Sequence, residues 1–567
     1  MRNWNYMRER QQFYIVRNKE IVSRFFPPVG KNVQFLFMDS ERLAGSARIV
    51  GNVTDENMLK LLATAEGFRR LVYGMGISVE MTEGKSDTVD FVFRMSAEDA
   101  GQSGTELRIP LPVDGTEKRV CLADFQWSEK DDRPGMMGFE FPVEGDLARA
   151  TVRLYLQDGY EAPEEIAEGT ADLESEAYAE MLRKSLIQTG NPARLQKALE
   201  KARRGEPVTM AFIGGSITEG AGAIPNHTGC YAFKTFQRFC ELAGKSTEEN
   251  VHYIKAGVGG TPSELGMIRY ERDVLRNGSV EPDIVVVEFA VNDADDETGG
   301  ACYDSLVRKI LSAENRPAVI LLFAVFDDDW NLQERLSPVG KAYDLPMVSV
   351  KNAVVEQFYL GPNQGKVLSR NQFFADCYHP ASLGHTVMAD CIDYMMRAVD
   401  RLPAREDTLE LKEMTPPLGG DFERVKLFDR EKEEEGIKVN CGSFCHRDEE
   451  LQFVPMDRDV TWTKLFPFNW MHRAGEEGGG EAFAMDITCS ALVLIYKDTP
   501  NPAAGRAEVR VDGEKVLTAD SHANNWNHCH PLICFRGREC RQYHVEISME
   551  PGCEEKEFTI LGFGYVR

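Results

Sequence analysis

No stretch of this sequence is apolar for long enough to cross a bilayer, and positions 1–10, Met-Arg-Asn-Trp-Asn-Tyr-Met-Arg-Glu-Arg, lack the apolar core of a secretory signal. Basic residues are in short supply: 65 Lys and Arg stand against 91 Asp and Glu, a formal net charge of −26. A phosphate surface repels such a chain, so neither nucleic acid nor an anionic membrane is an expected partner. Thirteen Cys are scattered over the chain without the density of a disulfide scaffold. With no leader ahead of them they read as free thiols, and the expected compartment is the cytoplasm. No internal repeat stands out. What is present is ordinary core material, 43% hydrophobic and 10% aromatic, in a chain of 567 residues. At about 100–200 residues per domain that length calls for three or four domains.

Residues 1–165 read as a mostly β, sandwich-like domain, with strand-length runs at 89–94, 106–110, 119–123, 137–142 and 150–156 between Gly, Asp and Pro clusters. The acidic segment 161–176 reads as a linker. From 177 to 402 the pattern changes. Helical runs at 178–187, 192–202, 231–243, 264–275, 304–311 and 382–399 alternate with apolar strands at 208–213, 252–256, 283–289, 318–326 and 346–350. Runs as uniformly apolar as Ile284-Val285-Val286-Val287 are covered on both faces, which marks a parallel sheet flanked by helices. The fold expected for this stretch is a three-layer, doubly wound α/β domain with its site at the carboxyl ends of the strands. Residues 403–567 return to short strands, clearest at 491–496, 507–511, 543–548 and 558–562, and read as a second sandwich-like domain.

The chain is organised around 208–220, Val-Thr-Met-Ala-Phe-Ile-Gly-Gly-Ser-Ile-Thr-Glu-Gly. Gly214 and Gly215 allow a sharp turn between strand and helix, and Ser216 sits on that turn with its hydroxyl exposed. Read alone, the string also fits a glycine turn with an N-cap serine. Three further blocks follow strands or precede the last helix. Gly257-Val258-Gly259-Gly260-Thr261 and Ala290-Val291-Asn292-Asp293 come after strands; Asp376-Cys377-Tyr378-His379-Pro380 comes before the helix. On a doubly wound sheet all can converge on one edge. Gly260 can offer a backbone N–H, with Gly259 as the alternative, and Asn292 a side-chain amide; with the N–H of Ser216 these make three donors for an oxyanion. His379 is the base nearest a strand end. Asp376, three positions earlier, can fold back to hold its tautomer.

In this order, Gly-Gly-Ser-Ile-Thr, the glycine block, Val-Glu-Phe-Ala-Val-Asn-Asp and Asp-x-x-His-Pro resemble the four signature blocks of SGNH hydrolases, the GDSL-type esterases. The resemblance spans about 180–400. It implies Ser216 as nucleophile, His379 as general base, Asp376 as its partner, and Ser216, Gly260 and Asn292 as the oxyanion hole. It implies no metal and no cofactor. Many multidomain relatives are carbohydrate esterases that remove acetyl groups. Two positions depart from the family pattern: Gly215 stands where its name has Asp, and Lys255 where an asparagine often opens the second block.

The expected function is therefore a serine esterase that deacetylates an O-acetylated oligosaccharide through an acetyl-enzyme. The alternatives are a lipid or thioester acyl hydrolase of the same fold and a non-catalytic carbohydrate-binding protein. Trp330, after a strand end, and Trp526, among Asn524, Asn525 and Asn527, are candidate sugar platforms, since sugar faces stack on indoles. Trp462 and Trp470 also lie in polar sequence. The acidic residues Glu288, Asp293, Asp295, Asp296 and Glu297 read as a solvated loop rather than a cation site, and His522, His528, Cys529 and His530 as an ordinary loop. Homo-oligomerisation is left open.

Overall fold

The computed structural model describes residues 10–26, 30–37, 40–97, 103–165, 169–246, 249–361, 363–457, 462–473, 481–524 and 526–567. The chain divides into two compact units: residues 1–171 together with 368–378, and residues 172–367 together with 379–567.

The first unit holds two antiparallel sheets. One is four-stranded and runs Gln12–Val22, Leu147–Leu156, Val72–Glu83, Lys118–Cys121; the other is five-stranded and runs Arg24–Phe26, Lys31–Phe37, Asp131–Phe141, Thr88–Ala97, Ser103–Pro112. Three helices, Ser40–Gly51, Glu56–Leu62 and Ala65–Leu71, interrupt a region that the sequence reads as mostly β. Each of the two shorter ones opens on a side-chain cap: Asp55 accepts the Asn57 N–H and Thr64 the Gly67 N–H. Phe68 stacks on Phe93 inside the shared core. The segment 368–378 belongs here too. Gly45 lies so close to Cys377 that a Cβ would not fit, Lys19 donates to the Ala375 carbonyl at 3.1 Å, and Arg42 pairs with Asp376 at 3.7 Å.

The second unit is built on a six-stranded sheet. Its strands, labelled here, are β1 (Leu186–Gln188), β2 (Val208–Gly214), β3 (Val251–Gly257), β4 (Ile284–Glu288), β5 (Ala318–Phe323) and β6 (Met347–Ser349). They lie in the order β1-β6-β5-β4-β2-β3, parallel except for β1, which runs antiparallel to β6 at the edge. The sequence continues the first helix to 187; the helix stops at Ser185 and the chain becomes this edge strand. Strand order reverses on either side of β2, which is the doubly wound arrangement with a switch point between β2 and β4. Every residue of β4 and β5 is buried, as their unbroken apolar runs require. Helices Gln333–Ala342, which carries Pro338, and Val350–Tyr359 add to those expected.

Residues 403–567 form two five-stranded antiparallel sheets with an aromatic core between them. Trp470, which the sequence places in polar surroundings, is buried in that core against Phe428, Phe483 and Phe563. The sheet that carries Ala491–Asp498 and Phe558–Val566 is buried on both faces. Its outer face meets the α/β domain, where Leu427, Val493, Ile495 and Leu561 share one hydrophobic core with Leu265 and Ile268 of the helix Ser263–Asp273. Among the described residues no helix is long and apolar enough to cross a membrane.

Candidate active site

Register places the site. Gly214, the last residue of β2, pairs with Gly257 on β3 and with Glu288 on β4. Three strands therefore end level, and the Ser216 turn, the glycine block and the Asn292 loop leave from neighbouring points on one edge. Arg269, wholly buried, ties two of these ends together by donating to the Gly214 carbonyl at 2.9 Å and the Ala256 carbonyl at 2.7 Å. Asp273 balances its charge at 3.3 Å.

Ser216 opens a short helix, Ser216–Glu219. Its Oγ lies 2.9 Å from Nε2 of His379. The Asn292 amide packs where a Cβ on Gly215 would stand, which accounts for glycine rather than aspartate before the serine. Glu288 secures the turn from beneath: its carboxyl accepts the Thr218 hydroxyl at 3.1 Å. Burial pushes that carboxyl up to about 7.

The glycine block is resolved by its partners. The Gly259 N–H donates to Glu219 Oε2 at 2.9 Å. Among the described residues the Gly260 N–H has no acceptor, and Gly260 has φ +70, which glycine adopts without strain. Burial raises the Glu219 carboxyl to about 7, against the opposing pull of the Gly259 N–H, Lys255 and His379. Lys255 is an internal tether. Its ammonium donates to the Glu219 carbonyl at 2.7 Å, at the end of the nucleophile helix, and burial lowers its pKa.

His385 is buried between the last helix and the nucleophile loop. Its Nδ1 accepts the Tyr231 N–H at 3.1 Å and its Nε2 lies 3.0 Å from the Ala221 carbonyl, so the neutral ring satisfies both; burial drops its pKa to about 4. Asp376 lies in the 368–378 segment of the first unit, half-buried, where its Oδ1 accepts the Tyr378 N–H at 2.9 Å.

The acidic loop has internal duties. Asp293 caps the helix Ser263–Asp273 by accepting the Ser263 N–H at 2.8 Å, and burial raises its carboxyl to about 7. Asp296 accepts the N–H groups of Thr298 and Gly300. Trp330 is half-buried and stacks on Phe326 at 5.8 Å; among the described residues no ring or hydrogen-bond contact ties it to Ser216, Gly260 or Trp526. Trp526, 40% exposed, lies directly on the glycine block: a Cβ on Gly260 would be 2.6 Å from its ring.

Beside Trp526, the expected loop of histidines resolves into separate roles. His522 turns away to the Asn501 carbonyl and Cys529 is buried in the core. His528 and His530 place Nδ1 at 3.0 and 2.8 Å from Asp498 Oδ2, which also accepts the Asn524 amide at 2.7 Å. Asp498, His528 and His530 are the one group of three among the described residues whose ligand atoms converge closely enough for a metal ion. Sequence reasoning gave Glu219, Glu288 and Asp498 no part in the site, because their partners Gly259, Thr218 and His528 lie 40, 70 and 30 positions away in the chain.

The model of the GDSL-like lipase/acylhydrolase family matches residues 212–387. No curated protein is similar to the chain in sequence. In structure it is similar to a two-domain esterase (CEX) active on acetylated mannans, with a TM-score of 0.57 and 24% identity over 68% of this chain and 99% of that one. The same esterase co-crystallised with mannopentaose aligns with a TM-score of 0.56 and 23% identity, over 68% and 98% of the two chains. Residues 212–387, which hold Ser216, Gly260, Asn292 and His379 around the ends of the parallel sheet, are thus similar to the GDSL-like lipase/acylhydrolase family.

Proposed function

We propose that this chain is a serine esterase that removes acetyl groups from a carbohydrate. The observation that carries the reading is the 2.9 Å approach of Ser216 Oγ and His379 Nε2 at the switch point of the sheet. Ser216 attacks the ester carbonyl as His379 takes its proton. The oxyanion lies among the N–H groups of Ser216 and Gly260 and the Asn292 amide. His379 returns the proton to the departing sugar hydroxyl, and a water activated by the same ring hydrolyses the acetyl-enzyme. Asp376, three positions before His379, is the carboxylate proposed to hold the imidazole tautomer.

The carbohydrate is supported by the likeness in fold to an esterase active on acetylated mannans and by Trp526, an exposed indole on the glycine block beside the Asn524 amide. Trp526 is the proposed sugar platform; Trp330, stacked on Phe326, is a weaker one. We place the enzyme in the cytoplasm, which free cysteines throughout the chain support.

A panel of acetylated oligosaccharides read by mass loss per acetyl, alongside long-chain acyl esters, tests the substrate. Faster turnover of the acyl esters would favour a lipase. The nucleophile is tested by Ser216→Ala and by a serine-directed phosphonate. Turnover surviving in Ser216→Ala, or labelling elsewhere, would overturn the assignment.

A further inference from the structure

We propose that Gln452 and the Asp498–His528 pair, contributed by the C-terminal β-domain, are positioning residues that aim the Gly260 N–H at the oxyanion; this rests on the esterase reading of Ser216 and Gly260. A trans peptide carries its C=O and N–H on opposite sides of one plane. The Gly260 N–H therefore shares a plane with the Gly259 carbonyl, and that carbonyl accepts the Gln452 side-chain amide at 2.9 Å. Turning the N–H away from the site breaks this bond. The Gln452 amide cannot flip, because its Oε1 accepts the Cys529 N–H at 3.0 Å, and the side chain is buried.

The next peptide is held in the same way. His528 Nε2 lies 2.8 Å from the Gly260 carbonyl, while its Nδ1 lies 3.0 Å from the buried carboxylate of Asp498. A glycine with φ +70 and no side chain has little of its own to fix either plane. Both are fixed by neighbouring residues of one strand, His528–Phe535, and by Gln452 packed against it. Donation by Gln452 to the Gly259 carbonyl also polarises that amide group, which makes the Gly260 N–H on its far side a better donor. The Gly259 N–H contributes nothing here, since Glu219 holds it.

The test uses the full chain and 4-nitrophenyl acetate, a substrate too small to need a sugar platform. Gln452→Leu is expected to lower kcat by about 10-fold or more while KM stays within about twofold, since a misaimed oxyanion donor costs transition-state stabilisation and not ground-state binding. The rate at which the phosphonate labels Ser216 should fall in parallel. Arg276→Ala, which breaks the 2.6 Å ion pair with Asp457 at the same junction between domains, is the control and should leave kcat unchanged. His528→Gln, whose amide can still reach the Gly260 carbonyl, should retain more kcat than His528→Ala, and this pair decides the matter if Gln452→Leu does not fold. Undiminished kcat in folded Gln452→Leu, equal losses in Gln452→Leu and Arg276→Ala, or no difference between the two His528 variants would overturn the inference while an inert Ser216→Ala left the esterase reading standing. Turnover by Ser216→Ala would overturn both.

Discussion

Glu219 Oε2 accepts the N–H of Gly259 at 2.9 Å, and this one contact separates two adjacent glycines that the sequence cannot tell apart. It occupies one amide and leaves the next one free. It also brings a carboxyl with a pKa raised to about 7 within the electrostatic reach of His379. In the proposed mechanism the charge of ionised Glu219 would stabilise the imidazolium that forms as Ser216 attacks.

Glu219→Gln should therefore remove a rise in kcat that the parent shows between about pH 6 and 8, since the amide keeps the Gly259 bond but carries no charge. The two proteins should turn over an aryl acetate alike at pH 6 and diverge several-fold at pH 8. Superimposable pH profiles would show that the carboxyl does not act on the base.

Glu288 gives a stability test with a definite sign. Its folded pKa of about 7 lies above its ordinary value, so the folded protein holds a proton that the unfolded chain releases. Stability contributed by this group is present at low pH and is lost as pH rises from about 4.5 through 7, at most about 3 kcal/mol. Glu288→Gln stays neutral throughout. Its Tm should match the parent near pH 5 and exceed it at pH 8; an offset that does not change with pH would contradict the assignment.

Asn292→Ala should lower kcat by about 10²–10³, the usual cost of one oxyanion donor, with KM nearly unchanged. The amide also packs on Gly215, so the check includes Tm. A loss confined to KM would make Asn292 a substrate-binding residue instead.

Trp526→Ala should reduce kcat/KM on an acetylated oligosaccharide by about tenfold, on the order of 1.4 kcal/mol, and barely change hydrolysis of an aryl acetate. Equal losses on both would mean that the indole acts only as packing on Gly260.

Extended dialysis against EDTA should leave activity unaltered. Asp498 Oδ2 already accepts His528, His530 and Asn524, and the His528 ring is occupied on both sides. Inactivation by the chelator, reversed by a divalent ion, would make this group a metal centre.

The candidate site could be read from the sequence because its residues sit in short loops at strand ends, where a few consecutive residues carry both the turn and the reactive group. Ser216, the glycine block and Asn292 each follow a strand directly. Their convergence needed only the inference of a doubly wound sheet. What the sequence concealed lies in contacts without local signal: Gln452 reaches Gly259 from 193 positions away and His528 reaches Gly260 from 268. The helices between residues 40 and 71 were hidden for a different reason. Two of them are seven residues long, and the first carries a central glycine that Cys377, far along the chain, demands. Trp470 was misread because polar neighbours in sequence say nothing about what stands across a sandwich.

The eleven-residue excursion at 368–378 bears on how such a protein can be inherited. A gene fragment for 177–402 carries every signature block, yet Asp376 and its neighbours pack on Arg42, Lys19 and Gly45, which that fragment omits. The first unit is thus no detachable cassette that recombination could add or discard freely. A fragment cut to 177–402 is expected to lose the partners of that segment and, with them, what holds Asp376 in place.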